Sequence, residues 1–238
     1  EGSVAKCLIM FFSQGGTTKK IAEAIAIGIR DSGYSSVDLY DLSKTTPPST
    51  KTYDLLGIGF PTYYYRPPFN MMDYVKRLPS LYGTSVFTFI IYGTNPGCAA
   101  TKIQKRVHKK GGRSIGCFFA RGADYFLGYL RQGYLFSPDH PDEKEIAGAQ
   151  KFGREIITRF QTNTNETVSF RPPIVEKEKP LPFVFRVEQF FTNQWITRNF
   201  HTRFFRIKTE LCSSCGLCMN VCPTKNIQAD EYGRPIWG

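Results

Sequence analysis

The 238-residue sequence has no apolar run reaching the roughly 18 residues that a membrane helix needs, so no span is predicted. Histidine is scarce. Its three copies, His108, His140 and His201, stand apart from one another, and each reads as a surface or capping residue. No Ser/His/Asp order and no paired-carboxylate arrangement can be argued, which leaves the hydrolytic classes without a candidate nucleophile and base. The fingerprints G-x-x-x-x-G-K-[ST] and G-x-G-x-x-G are both absent, so neither a triphosphate loop nor a dinucleotide turn is present. Acidic residues are in the minority, 20 against 31 Lys and Arg, for a net charge of +11. Residues 162–238 carry +3 of this and residues 1–161 carry +8, with local clusters such as Lys105, Arg106, Lys109, Lys110 and Arg113. Without a nucleic-acid motif, these charges read as solvated helix faces that attract acidic partners.

What the sequence does contain is apolar and aromatic. Apolar residues make up 41%, aromatics 15% and charged residues 21%, a balance that excludes global disorder. The length suits one large core with an appendage, or two unequal domains. Of seven cysteines, four fall within eleven residues near the C-terminus, while Cys7, Cys98 and Cys117 stand alone in apolar stretches. That clustering is unlike a disulfide framework, and no signal peptide precedes Glu1, so a reducing, cytoplasmic compartment is expected. The missing initiator Met is expected to reflect processing or trimming.

Four nearly continuous apolar runs, Val4–Phe12, Leu55–Phe60, Val86–Tyr92 and Ile115–Ala120, read as parallel strands buried on both faces, with a weaker strand at Val37–Tyr40. Between them lie helical patterns: Ile21, Ile25 and Ile29 at four-residue spacing, then Met71–Leu78 and Thr101–Lys110. A last helix is expected over about Pro141–Phe160. The alternation predicts an α/β doubly wound sheet of five strands. Thr162–Pro182 is polar and proline-rich and reads as a linker or strap. The aromatic, basic stretch 183–206 predicts a short helix that docks the tail onto the first domain.

Strand one ends in Ser13-Gln14-Gly15-Gly16-Thr17-Thr18, directly before a helix. Such a turn presents backbone N–H groups at the positive end of the helix, and the hydroxyls of Ser13, Thr17 and Thr18 could donate to phosphate oxygens. Ordinary N-capping uses the same residue types, so this loop alone does not separate the two readings. Two further strand ends bear on it. Strand three runs into Pro61-Thr62-Tyr63-Tyr64-Tyr65, and strand four into Tyr92-Gly93-Thr94-Asn95-Pro96-Gly97. In an open α/β sheet ligands bind outside the carboxyl ends of the strands. A flat aromatic ligand could stack on a tyrosine there, and the alternative is surface packing.

Residues 1 to about 161 resemble the flavodoxin family. Ser13, Gly16 and Thr18 match the first, fourth and sixth positions of its phosphate loop, [ST]-x-T-G-x-T, whereas Gly15 stands where a hydroxyl residue is usual. Tyr63 matches the aromatic that the strand-three loop commonly offers the flavin, and Tyr64 and Tyr65 replace glycines often found next. The resemblance implies FMN, with Ser13 to Thr18 at its phosphate, Pro61, Thr62, Tyr63 and Tyr64 on one side, and Tyr92, Gly93, Thr94, Asn95 and Gly97 along its other edge. In flavodoxin-like domains the loop that would hold Asp124 and Tyr125 can border the flavin, although Asp124 itself reads as a loop residue.

Cys212, Cys215, Cys218 and Cys222, followed by Pro223, form C-x2-C-x2-C-x3-C-P without deviation. Three thiolates at three-residue steps can wrap one cubane, and Gly216 lets the loop turn tightly. Zinc, the alternative, usually pairs two C-x2-C knuckles across about 12–20 residues. The run resembles bacterial-type ferredoxins, in which the fourth cysteine ligates a second cluster. Cys222 then needs companions that do not follow it, so the sequence is expected to be a fragment of a protein with two [4Fe-4S] clusters. The expected organisation is a flavodoxin-like domain over 1–161, a linker and docking segment over 162–206 and a partial ferredoxin module over 207–238. The expected function is electron transfer between cluster and FMN, with acidic redox proteins as partners. The alternatives are an FMN-dependent reductase of a small acceptor such as a quinone, and a flavin-free domain that only scaffolds the ferredoxin.

Overall fold

A computed structural model describes residues 6–34, 36–43, 49–164, 181–200, 207–222 and 226–237. The expected linker lies outside the described residues from 165 to 180, as do 201–206 with His201. The chain divides into two compact units, residues 1–181 and 182–238.

In the first unit the apolar runs are strands β1 (Cys7–Phe11), β2 (Val37–Asp41), β3 (Leu55–Pro61), β4 (Ser85–Tyr92) and β5 (Arg113–Arg121). They pair in parallel in the order β2-β1-β3-β4-β5. Side chains alternate across a strand, so β1 feeds two cores. Cys7, Ile9 and Phe11 join the layer under helices α1 (Thr17–Asp31) and α5 (Glu143–Thr164), while Leu8, Met10 and Phe12 join the layer under α2 (Phe69–Arg77) and α3 (Ala99–Lys109). Ile21, Ile25 and Ile29 are buried on the inner face of α1, as their spacing predicts. A short helix not foreseen from sequence, α4 (Leu127–Leu130), sits in the long β5–α5 connection.

Helix α5 starts two residues later than expected because of its cap. Glu145 N–H donates to Asp142 Oδ1 at 2.9 Å while Asp142 N–H donates to Glu145 Oε2 at 2.9 Å, a reciprocal capping box. His140 Nδ1 lies 2.7 Å from Glu145 Oε2, so its ring braces the cap without being part of it, and Arg121 N–H donates to Glu145 Oε1 at 2.7 Å. One carboxylate thus ties the end of β5 to the start of α5. The ligand atoms of His140, Asp142 and Glu145 converge within 4.8 Å, but the cap accounts for that convergence.

The second unit holds α6 (Phe183–Phe191), α7 (Gln194–Asn199), α8 (Leu217–Val221) and an antiparallel pair, β6 (Ile227–Ala229) with β7 (Pro235–Trp237). Two helices replace the single one expected because Asn193 interrupts the run and caps the second, its side chain accepting the Ile196 N–H at 3.0 Å. Among the described residues of this unit only Pro235 is buried. So small an interior cannot offset chain entropy by itself, which leaves a role for metal ligation in stability. No helix among the described residues is long and apolar enough to cross a membrane.

Helices α1 and α5 cross at Gly28 and Gly153. A methyl group on Gly28 would collide with the Gln150 carbonyl oxygen, and one on Gly153 with that of Ile25. Both collisions are with backbone, so rotamer changes cannot relieve them. Gly28→Ala is expected to destabilise the first unit by about 1–3 kcal/mol despite its gain in helix propensity. Chemical denaturation reads this directly, and a variant as stable as the parent would show that the crossing tolerates a side chain.

Candidate functional site

The turn from β1 into α1 leaves donors without acceptors. Gly16 has φ 86° and ψ −19°, a left-handed conformation that glycine adopts without a steric penalty. The first bond of the helix is Lys20 N–H to Gly16 O at 3.0 Å, and Ser13 Oγ accepts the Lys19 N–H at 3.3 Å. The N–H groups of Gly15, Gly16, Thr17 and Thr18 have no acceptor among the described residues. A methyl group on Gly16 would meet nothing within 4 Å, so the space beside Gly16 is open. Successive free N–H groups at the positive end of a helix form a cradle for an anion. Thr18 is buried, and Lys19 pairs with Glu23 along the helix at 3.6 Å.

Two tyrosine-bearing loops are fastened to this turn and to each other. The Tyr63 hydroxyl donates to Gln14 Oε1 at 2.6 Å, and its ring stands edge-on to Phe12 with centroids 6.5 Å apart. Thr62 N–H donates to Ile91 O at 2.8 Å, tying Pro61 and Thr62 to β4. Tyr64 and Tyr65 have φ 49° and 61°, so two large residues take the left-handed shape that glycine usually supplies. Gly97 packs directly on the Tyr65 backbone, where a side chain would collide with the carbonyl, and Cys98 N–H donates to that same oxygen at 3.0 Å. Asn95 Oδ1 accepts the Gly97 N–H at 2.8 Å, fixing the second loop internally. Tyr92 is half-buried with its ring edge-on to Phe119.

A fourth loop joins them, the one after β5 that the flavodoxin resemblance allows beside the flavin but whose residues were given no site role. Gly122 N–H donates to Tyr92 O at 3.0 Å, and a methyl group on Gly122 would fall 2.7 Å from Thr17 Cγ2. Asp124 packs against Gly93, Tyr125 lies over Gly15, and the Phe126 ring is edge-on to Tyr64 at 6.0 Å. The available sequence signal was its position after the last strand, followed by two consecutive aromatics. Loops from β1, β3, β4 and β5 therefore converge at one edge of the sheet, and every predicted residue of the first site lies on the first three.

The cysteine loop occupies the second unit. Cys212, Cys215 and Cys218 approach and enter α8, and Cys222 is its C-cap. Ser214 and Gly216 have φ 54° and 72°, which turns the chain tightly between cysteines. Backbone N–H groups aim at sulfur: Ser214 at Cys212 Sγ, 3.4 Å, and Asn226 at Cys222 Sγ, 3.3 Å. Hydrogen bonds from the Leu217 N–H and the Ser213 hydroxyl hold the exposed Cys215 thiol below its usual range. Cys7 differs, since burial pushes its thiol well up. It is a core residue of β1.

Residues 8–132, more than half of the chain, match the model of the flavodoxin domain, and residues 205–228 match that of the 4Fe-4S binding domain. An uncharacterized protein of Methanocaldococcus jannaschii is 24% identical over 159 residues, covering 64% of this chain and 98% of that protein. A flavodoxin from the domain Archaea superposes with a TM-score of 0.52 at 18% identity, covering 66% of this chain and 99% of that one. Flavodoxin 2 from Bacillus cereus gives 0.51 at 20%, covering 67% and 99%. The rubredoxin oxygen:oxidoreductase of Desulfovibrio gigas gives 0.52 at 13%, covering 68% of this chain and 37% of that one. These likenesses establish the five-stranded parallel fold. The first domain implies FMN and the second a [4Fe-4S] cluster. The residues present fit both groups, through acceptor-free N–H donors in an open cradle for a phosphate and N–H-supported sulfurs for iron.

Burial pushes the Tyr63 phenol up to about 12, against about 10 in an unfolded chain. Between these values the unfolded chain loses its proton first, so stability from the neutral phenol is complete below about pH 10 and is lost as pH rises towards about 12. Spectrophotometric titration of the parent against Tyr63→Phe is expected to reveal one phenol ionising near 12. A difference centred near 10 would contradict a desolvated Tyr63 phenol.

Proposed function

The chain belongs to the flavodoxin domain family and carries a 4Fe-4S binding domain, and from this premise of an electron-transfer redox protein we propose that it passes electrons between FMN and a [4Fe-4S] cluster. The observation that carries the reading is the row of acceptor-free N–H groups beside the tyrosine loops, on the same chain as the four-cysteine run. When bound, FMN supplies one- or two-electron exchange and the cluster one-electron exchange. The N–H groups of Gly15, Gly16, Thr17 and Thr18, with the Ser13 hydroxyl, bind the phosphate. Pro61, Thr62, Tyr63 and Tyr64 flank one side of the ring, Tyr92, Gly93, Thr94, Asn95 and Gly97 the other, and Gln14 orients Tyr63. Cys212, Cys215, Cys218 and Cys222 are the iron ligands.

In this reading residues 1–161 are the flavin domain, 162–206 a linker and 207–238 the cluster module. The partners are acidic redox proteins of the cytoplasm, drawn by the charge of +8 on residues 1–161. The domain pair does not favour a quinone reductase.

Anaerobic purification followed by iron, sulfide and flavin quantitation is the direct test, with both cofactors expected. A preparation that stays colourless after FMN is supplied, or that holds zinc alone, would overturn the reading. Cys215→Ser is expected to abolish the broad visible absorption of the cluster and leave the flavin spectrum intact. An unchanged cluster spectrum would remove Cys215 from the ligand set. Exchange with an acidic carrier should slow as ionic strength rises through the range where the Debye length shrinks from about 30 to about 8 Å. Salt-independent rates would argue against electrostatic docking.

A further inference from the structure

We propose that Tyr125, whose ring edge lies over Gly15, supplies the phosphate cradle with a side-chain hydroxyl beside a position whose own residue has no side chain to offer. The proposal rests on the reading that the FMN phosphate occupies residues 13–18, and it adds a donor from a different loop. A methyl group built on Gly15 would lie 3.5 Å from Cε2 and 3.9 Å from Cδ2 of Tyr125. Cε2 adjoins the ring carbon that bears the hydroxyl, so the nearer part of this ring edge is the one beside the phenol oxygen. Gly16, by contrast, faces open space.

The backbone on either side of the ring is held in place. Gly122 is pinned to β4 through Tyr92 O and pressed against Thr17 of α1. Asp124 N–H donates to Phe136 O at 2.9 Å, and Asp124 Oδ1 accepts the Phe126 N–H at 3.1 Å. Ser137 Oγ donates to Gly93 O at 3.0 Å, and a methyl group on Gly93 would fall 2.5 Å from Asp124 Cβ. Tyr125 thus projects from between two fixed residues. Tyr125 is 60% exposed, and its hydroxyl has no acceptor among the described residues. A free neutral donor beside four free N–H groups completes a phosphate site that has no cationic side chain of its own.

The alternative role for this ring is stacking on the flavin, and the phosphate separates the two. FMN and riboflavin share the ring system, and only FMN carries the phosphate. Flavin-fluorescence titrations of the full chain are expected to show Tyr125→Phe weakening FMN about tenfold, as loss of one hydrogen bond to a charged group would, and leaving riboflavin unchanged. The double variant Gly15→Ser/Tyr125→Phe, which returns a hydroxyl to residue 15, is expected to recover most of the FMN affinity. Unchanged FMN binding in Tyr125→Phe, or equal weakening of FMN and riboflavin, would overturn the proposal. A parent protein that binds FMN no better than riboflavin would instead remove the phosphate site itself, and Tyr125's role with it.

Discussion

Four backbone N–H groups in a row, on Gly15 to Thr18, have no acceptor among the described residues, and the first site is arranged around that fact. An unpaired donor in a half-enclosed place must find water or an anion, and the helix behind it favours the anion. The sheet order fixes where this happens. β1 lies between β2 and β3, so the chain leaves its carboxyl end at the point where successive connections part to opposite faces. The loops after β3 and β4 reach the same edge because both strands run parallel to β1.

Local strain marks how tightly those loops are fitted. The left-handed conformation at Tyr64 and Tyr65 costs on the order of 1 kcal/mol each in an L-residue. It persists because Gly97 packs against the Tyr65 backbone and Cys98 bonds its carbonyl, while Phe126 meets the Tyr64 ring. The glycines that the family often places here are therefore not required for the backbone shape. Tyrosines hold the same kind of turn and add aromatic surface, at the expense of conformational freedom.

The two units solve the stability problem differently. The first has two apolar cores, one on each face of the sheet, and its helices approach closely enough at Gly28 and Gly153 to exclude side chains. The second places Phe183, Phe190, Phe191 and Trp195 at the surface and encloses little. N–H groups directed at Cys212, Cys215 and Cys222 favour thiolates, the form in which sulfur ligates a metal. In the proposed reading, ligation is part of folding in this unit as well as of electron transfer.

The parallel sheet, the cysteine run and the turn at Ser13–Thr18 were legible in the sequence because each is local. A strand buried on both faces must be apolar throughout, thiolates on one cluster must recur at short intervals, and a glycine turn before a helix exposes its donors wherever the rest of the chain lies. Helix ends were less legible, since the start of α5 is set by Glu145 joining Asp142, His140 and Arg121. Tertiary structure alone decided that Tyr125 would stand over Gly15 and Phe126 against Tyr64. Those residues are about 110 and 60 positions apart, and no periodicity along a chain encodes the meeting of two loops, which follows from strand order and from contacts such as Gly122 on Thr17.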